Sequence, residues 1–132
     1  MLRLFLEKDA VRVVADQWGS PTLAADLADV ILGIITREAV QYGTFHFTNE
    51  GRTNWFEFAG MIRKFACEHG LVTRDVRILP IRTEEYPTKA VRPANSYLSK
   101  EKIKAVFGLT IRPWQEALEE FMNALPAANG GT

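Results

Sequence analysis

The chain has 132 residues, 47% of them hydrophobic and 24% charged, with sixteen Lys+Arg balanced by sixteen Asp+Glu. That is enough chain for one domain with a real core and too little for two. A net charge of zero argues against duplex nucleic acid or an anionic membrane as partner. The single cysteine, Cys67, makes no internal disulfide and builds no metal cluster alone. No apolar run approaches the roughly 18 residues of a membrane span, and the N-terminal MLRLFLEKDA lacks the pattern of a signal peptide. A soluble, reducing, cytoplasmic setting is therefore expected.

In chain order, Met1–Lys8 reads as the end of a helix, with Leu2, Leu4, Phe5 and Leu6 dense in it. Val11–Ala15 (VRVVA) reads as a short β-branched strand. Asp16–Thr22 (DQWGSPT) has turn chemistry in Gly19 and Pro21. A helix follows from about Pro21 or Thr22 to Arg37, capped by either Ser20 or Thr22, with Leu23, Leu27, Val30, Ile31 and Ile34 on one face. Ile35 beside Ile34 widens that stripe. Gly43–Thr48 (GTFHFT) alternates, with Phe45 and Phe47 on one side, as a half-buried strand does.

Asn54 three residues before Glu57 has capping-box spacing. The helix it opens runs to about His69 and ends at Gly70, with Trp55, Phe58, Ala59, Ile62, Phe65 and Ala66 expected inward and Cys67 packed beside them. Val76–Ile81 is a strand that Pro80 confines to an edge or an end. Arg82–Asn95 is irregular. Ser99 is expected to cap a short helix closed by Gly108. Pro113 starts a last helix with Trp114, Ala117, Leu118, Phe121 and Leu125 inward, and Pro126–Thr132 reads as a frayed tail. Interleaved strands and helices give an α/β class with a small mixed sheet and packed helices.

Neither histidine, His46 nor His69, sits in a metal-ligand pattern, and no dinucleotide glycine fingerprint, P-loop or Cys-x-x-Cys exists. Two segments carry more polar character than packing needs. In Asp16–Thr22 a strand end meets a helix start, which suits either an anion site or a plain capped loop. In Glu85–Ser96 two prolines stiffen a loop bearing Lys89 and Arg92, which suits either bidentate phosphate recognition or a solvated loop.

Taken in order, DQWGSPT, the DLAD of Asp26–Asp29, GTFHFTNEGRTNWFEFA (Gly43–Ala59), EYPTKAVRPANSYLSKEKI (Glu85–Ile103) and the Gly108–Trp114 segment closely resemble the C-terminal portion of dTDP-4-dehydrorhamnose reductases. The resemblance spans about residues 1–125. It implies the C-terminal region of an extended short-chain dehydrogenase/reductase (Rossmann-like) fold. It also implies reduction of a 4-keto sugar nucleotide by NADPH or NADH. The family's N-terminal Rossmann half carries the glycine-rich turn and a Tyr-x-x-x-Lys pair. Tyr42, Tyr86 and Tyr97 have no lysine four residues on, so no residue of this chain is assigned to catalysis or to cofactor binding.

The resemblance therefore implies a substrate-binding region, inactive alone, that works with a Rossmann half in cis or in trans. Its substrate-binding residues would be Gln17, Gly19, Thr22 and Arg92, with Arg92 on the phosphate of a dTDP-sugar. Some family members hold Mg²⁺ between subunits with glutamates. The positions matched to these lie near Ala25 and Ala124 and carry no carboxylate, so no metal is expected. Self-association through exposed apolar surface is expected. The alternative reading is a free-standing, non-catalytic module that binds a sugar nucleotide or a protein.

Overall fold

The computed structural model describes residues 1–39 and 41–125; the predicted tail Pro126–Thr132 lies outside them. Among these residues, five α-helices, four short strands and one short 3-10 helix follow one another: α1 (Leu2–Glu7), β1 (Ala10–Val14), β2 (Trp18–Gly19), α2 (Ala24–Ile35), β3 (Thr53–Asn54), α3 (Trp55–Glu68), β4 (Arg77–Ile81), the 3-10 helix (Thr83–Glu85), α4 (Glu101–Phe107) and α5 (Trp114–Asn123). The sheet content is split in two. β1 and β4 pair in parallel, Val11 opposite Ile78 and Val13 opposite Pro80. β2 and β3 pair antiparallel, Trp18 opposite Asn54. Pro80 is tolerated because β4 has only one strand neighbour among the described residues.

The larger core forms around α3. Ala59, Ile62, Phe65 and Ala66 from its inner face meet Phe5 of α1, Val11 of β1, Val76, and Trp114, Leu118 and Met122 of α5. α3 begins as its sequence predicts, with the Asn54 Oδ1 accepting from the Glu57 N–H at 2.8 Å. A second, smaller cluster joins Ile103 and Phe107 of α4 to Ile111, with Val30 and Ile34 of α2 and Phe45 and Phe47 packed against it. Gly108 closes α4 with φ +64°, a conformation that L side chains resist.

Several sequence expectations are corrected. The 43–48 segment is no strand: Phe45 and Phe47 do turn inward, but no neighbouring strand offers a ladder. α2 is shorter than expected, and neither Ser20 nor Thr22 caps it. Its N-cap position is Leu23, whose N–H is satisfied by Asn49 Oδ1 at 2.8 Å. The Ser20 hydroxyl is instead drawn to the Asn49 carbonyl at 2.8 Å and to that of Gly51. Ser99 stands one residue ahead of the α4 cap position, Lys100, and accepts weakly from Glu101 N at 3.4 Å. Trp55, Phe121 and Cys67 are exposed rather than packed, and Met122 takes the inward place on α5. The N-terminal apolar run divides: Phe5 is fully buried, Leu2 and Leu4 are half-buried, and Leu6 is exposed.

Candidate functional site: a cleft between the Trp18 loop and the Arg92 segment

The site is built where three pieces of backbone meet. Trp18 pairs with Asn54 on one edge. On the other edge its N–H donates to the Ala94 carbonyl at 2.9 Å, and its carbonyl accepts from Ser96 N at 2.7 Å. The Ser96 hydroxyl reaches the same carbonyl at 3.1 Å. β2 thus zips the 94–96 segment to the start of α3. Gly19 has a physical reason to be glycine, because a Cβ there would lie 2.7 Å from Ser96 Oγ.

The beginning of the irregular segment is tied down separately. The Asp16 carboxylate accepts from both Thr83 N–H (3.1 Å) and the Thr83 hydroxyl (2.7 Å). Those donors hold the Asp16 carboxyl below its ordinary range. Gln17 Nε2 donates to the same Thr83 Oγ1 at 3.1 Å. Glu85 pairs with Arg12 of β1 at 2.9 Å and accepts from Arg82 N at 2.8 Å. Anchored at both ends, the segment between Tyr86 and Pro93 runs exposed over the surface.

Between these pieces lies a cavity of about 200 Å³. Trp18, Trp55, Phe58, Pro21 and Pro93 give it apolar walls, and Gln17, Gly19, Asn54, Ser96 and Arg92 supply polar groups. The Arg52 guanidinium lies over the Trp18 ring, 4.3 Å from its centroid. The Arg92 side chain is exposed at the cleft, and among the described residues no carboxylate pairs with it. Flat apolar walls beside an unpaired guanidinium suit a ligand that joins a planar or ring-shaped part to an anion.

Of the residues singled out in the sequence, Gln17, Gly19 and Arg92 come together on this cleft. Thr22 does not; it lines a separate, mostly apolar groove with Met1, Leu23, Trp114 and Phe121. Sequence reasoning missed Trp55, Phe58 and Asn54 as cleft residues. Trp55 at the first helical position was the available signal, since a side chain there projects toward the preceding loops. His46 and His69 are both exposed and away from the cleft.

A small-sheet α/β unit whose loops frame such a cleft is the class of the substrate-binding part of a Rossmann-like, extended short-chain reductase. The sequence matches the family described as RmlD substrate binding domain over residues 1–126, and the chain belongs to that family. It is 42% identical to dTDP-4-dehydrorhamnose reductase of Aggregatibacter actinomycetemcomitans, covering 90% of this chain and 42% of that protein. It is 40% identical to spore coat polysaccharide biosynthesis protein SpsK of Bacillus subtilis, covering 97% of this chain and 42% of that one. Among solved structures, it resembles dTDP-4-dehydrorhamnose reductase from Bacillus anthracis in complex with NADP. There the TM-score is 0.83 at 37% identity, covering 94% of this chain and 41% of the other. The chain thus spans about two-fifths of the length of the relatives it matches. No helix among the described residues is long and apolar enough to cross a membrane.

Proposed function

We propose that this chain is the sugar-nucleotide-binding portion of a dTDP-4-dehydrorhamnose reductase, which reduces dTDP-4-dehydro-L-rhamnose to dTDP-L-rhamnose with NADPH or NADH. The observation that carries the reading is the convergence of Gln17, Gly19 and Arg92 on one aromatic-walled cleft, in a chain whose residues 1–126 match the substrate-binding domain of this family. Arg92 would hold the diphosphate, since a planar guanidinium fork fits phosphate oxygens bidentately. The apolar walls would take the rest of the nucleotide and exclude water.

A nicotinamide dinucleotide is not a fit for these residues. The nine glycines include no fingerprint turn. The helix that opens on the cleft, α3, has its first turn capped by its own Asn54 side chain. Hydride donor and proton-transfer groups would come from a Rossmann half, in cis or in trans, and this chain's share is binding and orientation.

The test is calorimetric titration of the chain with dTDP. Binding is expected, weakened about 10- to 100-fold in Arg92→Ala and incompletely restored in Arg92→Lys. Unchanged affinity in Arg92→Ala would remove it from the site. Reductase turnover is expected only after a dinucleotide-binding half is supplied. Binding of dTDP with no turnover on that addition would favour the free-standing binding module.

A further inference from the structure

The three tryptophans of this chain sit in three different environments. Trp114 is buried in the larger core, 5% exposed. Trp18 has both backbone edges bonded and its ring covered by Arg52. Trp55 is 49% exposed, although the helix it opens buries Ile62 and Phe65 and packs Phe58 and Met61 against the core. Leaving an indole half in water forgoes hydrophobic stabilisation that a polar residue at this position would not waste.

Its position is also particular. Besides the cleft already described, a second groove runs along β1, bordered by Leu4, Val13, Tyr86 and Thr88. Three residues line both spaces: Gln17, Trp55 and Arg92. Trp55 therefore stands where the two spaces adjoin, on the same walls as the unpaired guanidinium.

The ring is held from behind. Phe58 meets Trp55 edge-on, with centroids 6.4 Å apart and planes at 62°. Phe58 in turn meets the buried Trp114 at 5.5 Å and 77°. This run of aromatic contacts fixes an exposed ring to the core, so a ligand stacking on it would pay little to order it. Among the described residues no cation covers Trp55, in contrast to Trp18.

We propose that Trp55 is the platform on which the planar base of a nucleoside diphosphate stacks while its phosphates pair with Arg92. This rests on the sugar-nucleotide reading above and adds the residue that recognises the base.

The test pairs tryptophan fluorescence with calorimetry on the 132-residue chain, using dTDP and inorganic pyrophosphate as probes. Stacking of a base on Trp55 is expected to quench emission with dTDP, whereas pyrophosphate, which carries the charge without the base, binds through Arg92 and does not quench. Trp55→Phe keeps an aromatic face; it is expected to bind dTDP within about threefold of wild type and to lose most of the quench. In Trp18→Phe the quench persists. Trp55→Ala is expected to weaken dTDP binding by about 10-fold or more. The Phe variant keeps the test independent of any folding defect in the Ala variant. Full quench in Trp55→Phe together with unchanged affinity in Trp55→Ala would overturn the platform and leave the sugar-nucleotide reading standing. Failure of the wild-type chain to bind dTDP would overturn both.

Discussion

Asp26 shows how one side chain organises a region far from it in sequence. Its carboxylate accepts a two-pronged pair from Arg112, Nε at 2.9 Å and Nη2 at 2.6 Å, and a further bond from Asn49 Nδ2 at 2.5 Å. Arg112 also pairs with Glu120 of α5. The bonds from Arg112, aided by Asn49, outweigh burial and hold the Asp26 carboxyl below its ordinary range. The unfolded value is about 3.9, so the stabilisation is fully present above that pH and is lost as pH falls through the lower folded value. Asp26→Asn is expected to lower stability at neutral pH by about 2 kcal/mol. Urea unfolding at pH 7 and pH 3 checks this: the gap between variant and wild type should shrink at pH 3. An equal gap at both pH values would mean that the charge is not what matters.

At the scale of elements, the two longest helices begin in opposite ways. α3 is capped locally, by the residue its own sequence nominates. Only half of the capping box forms: the Glu57 carboxylate accepts from the Thr53 hydroxyl at 3.1 Å rather than returning to the Asn54 backbone. Asn54→Ala is expected to cost about 1 kcal/mol, a fall of a few degrees in melting temperature, while Asn54→Asp should retain most of the cap. Thermal unfolding by circular dichroism measures both; equal melting for the Ala variant and wild type would show that the sheet pair with Trp18 holds α3 in place without the cap. α2 has no side-chain cap; the N–H of its N-cap position, Leu23, is instead satisfied from 26 residues away by Asn49, which is buried at 1% exposure. Ser20 and Thr22 have capping chemistry at the right spacing, but tertiary packing draws the Ser20 hydroxyl to the carbonyls of Asn49 and Gly51, and α2 starts beyond both residues.

At the scale of the molecule, α2 is the outlier. Val30 and Ile34 reach the smaller cluster, but no residue of the helix is buried. Ile31, Leu32 and Ile35 are 49%, 56% and 69% exposed, as the paired isoleucines of the sequence foreshadow. Phe121 and Met1 border the apolar groove of about 580 Å³ at the other side of this helix's start. Relatives carry further chain beyond the part matched here, and such faces are what additional structure would cover. The isolated chain is therefore expected to self-associate with rising concentration and to be relieved by Leu32→Glu with Ile35→Glu. Light scattering checks this. A monomer at high concentration that binds no apolar-surface dye would contradict it.

The sequence by itself determined what depends on neighbours a few residues apart. The α3 cap at Asn54, the stop of α4 at Gly108 and the edge role of Pro80 are set by local backbone chemistry, and each was legible. The ordered motifs likewise determined the family. Tertiary structure alone decided which residues share a space. Gln17 and Arg92 lie 75 positions apart and meet only because β2 zips to the 94–96 segment, while Thr22, five residues from Gln17, falls on another groove. Gly43–Thr48 alternates as a strand should, yet a ladder needs a partner strand, which alternation cannot supply. Trp55 and Phe121 fit a helical stripe by spacing, but a stripe buries only where something packs on it, and at these two positions the described chain leaves them in solvent.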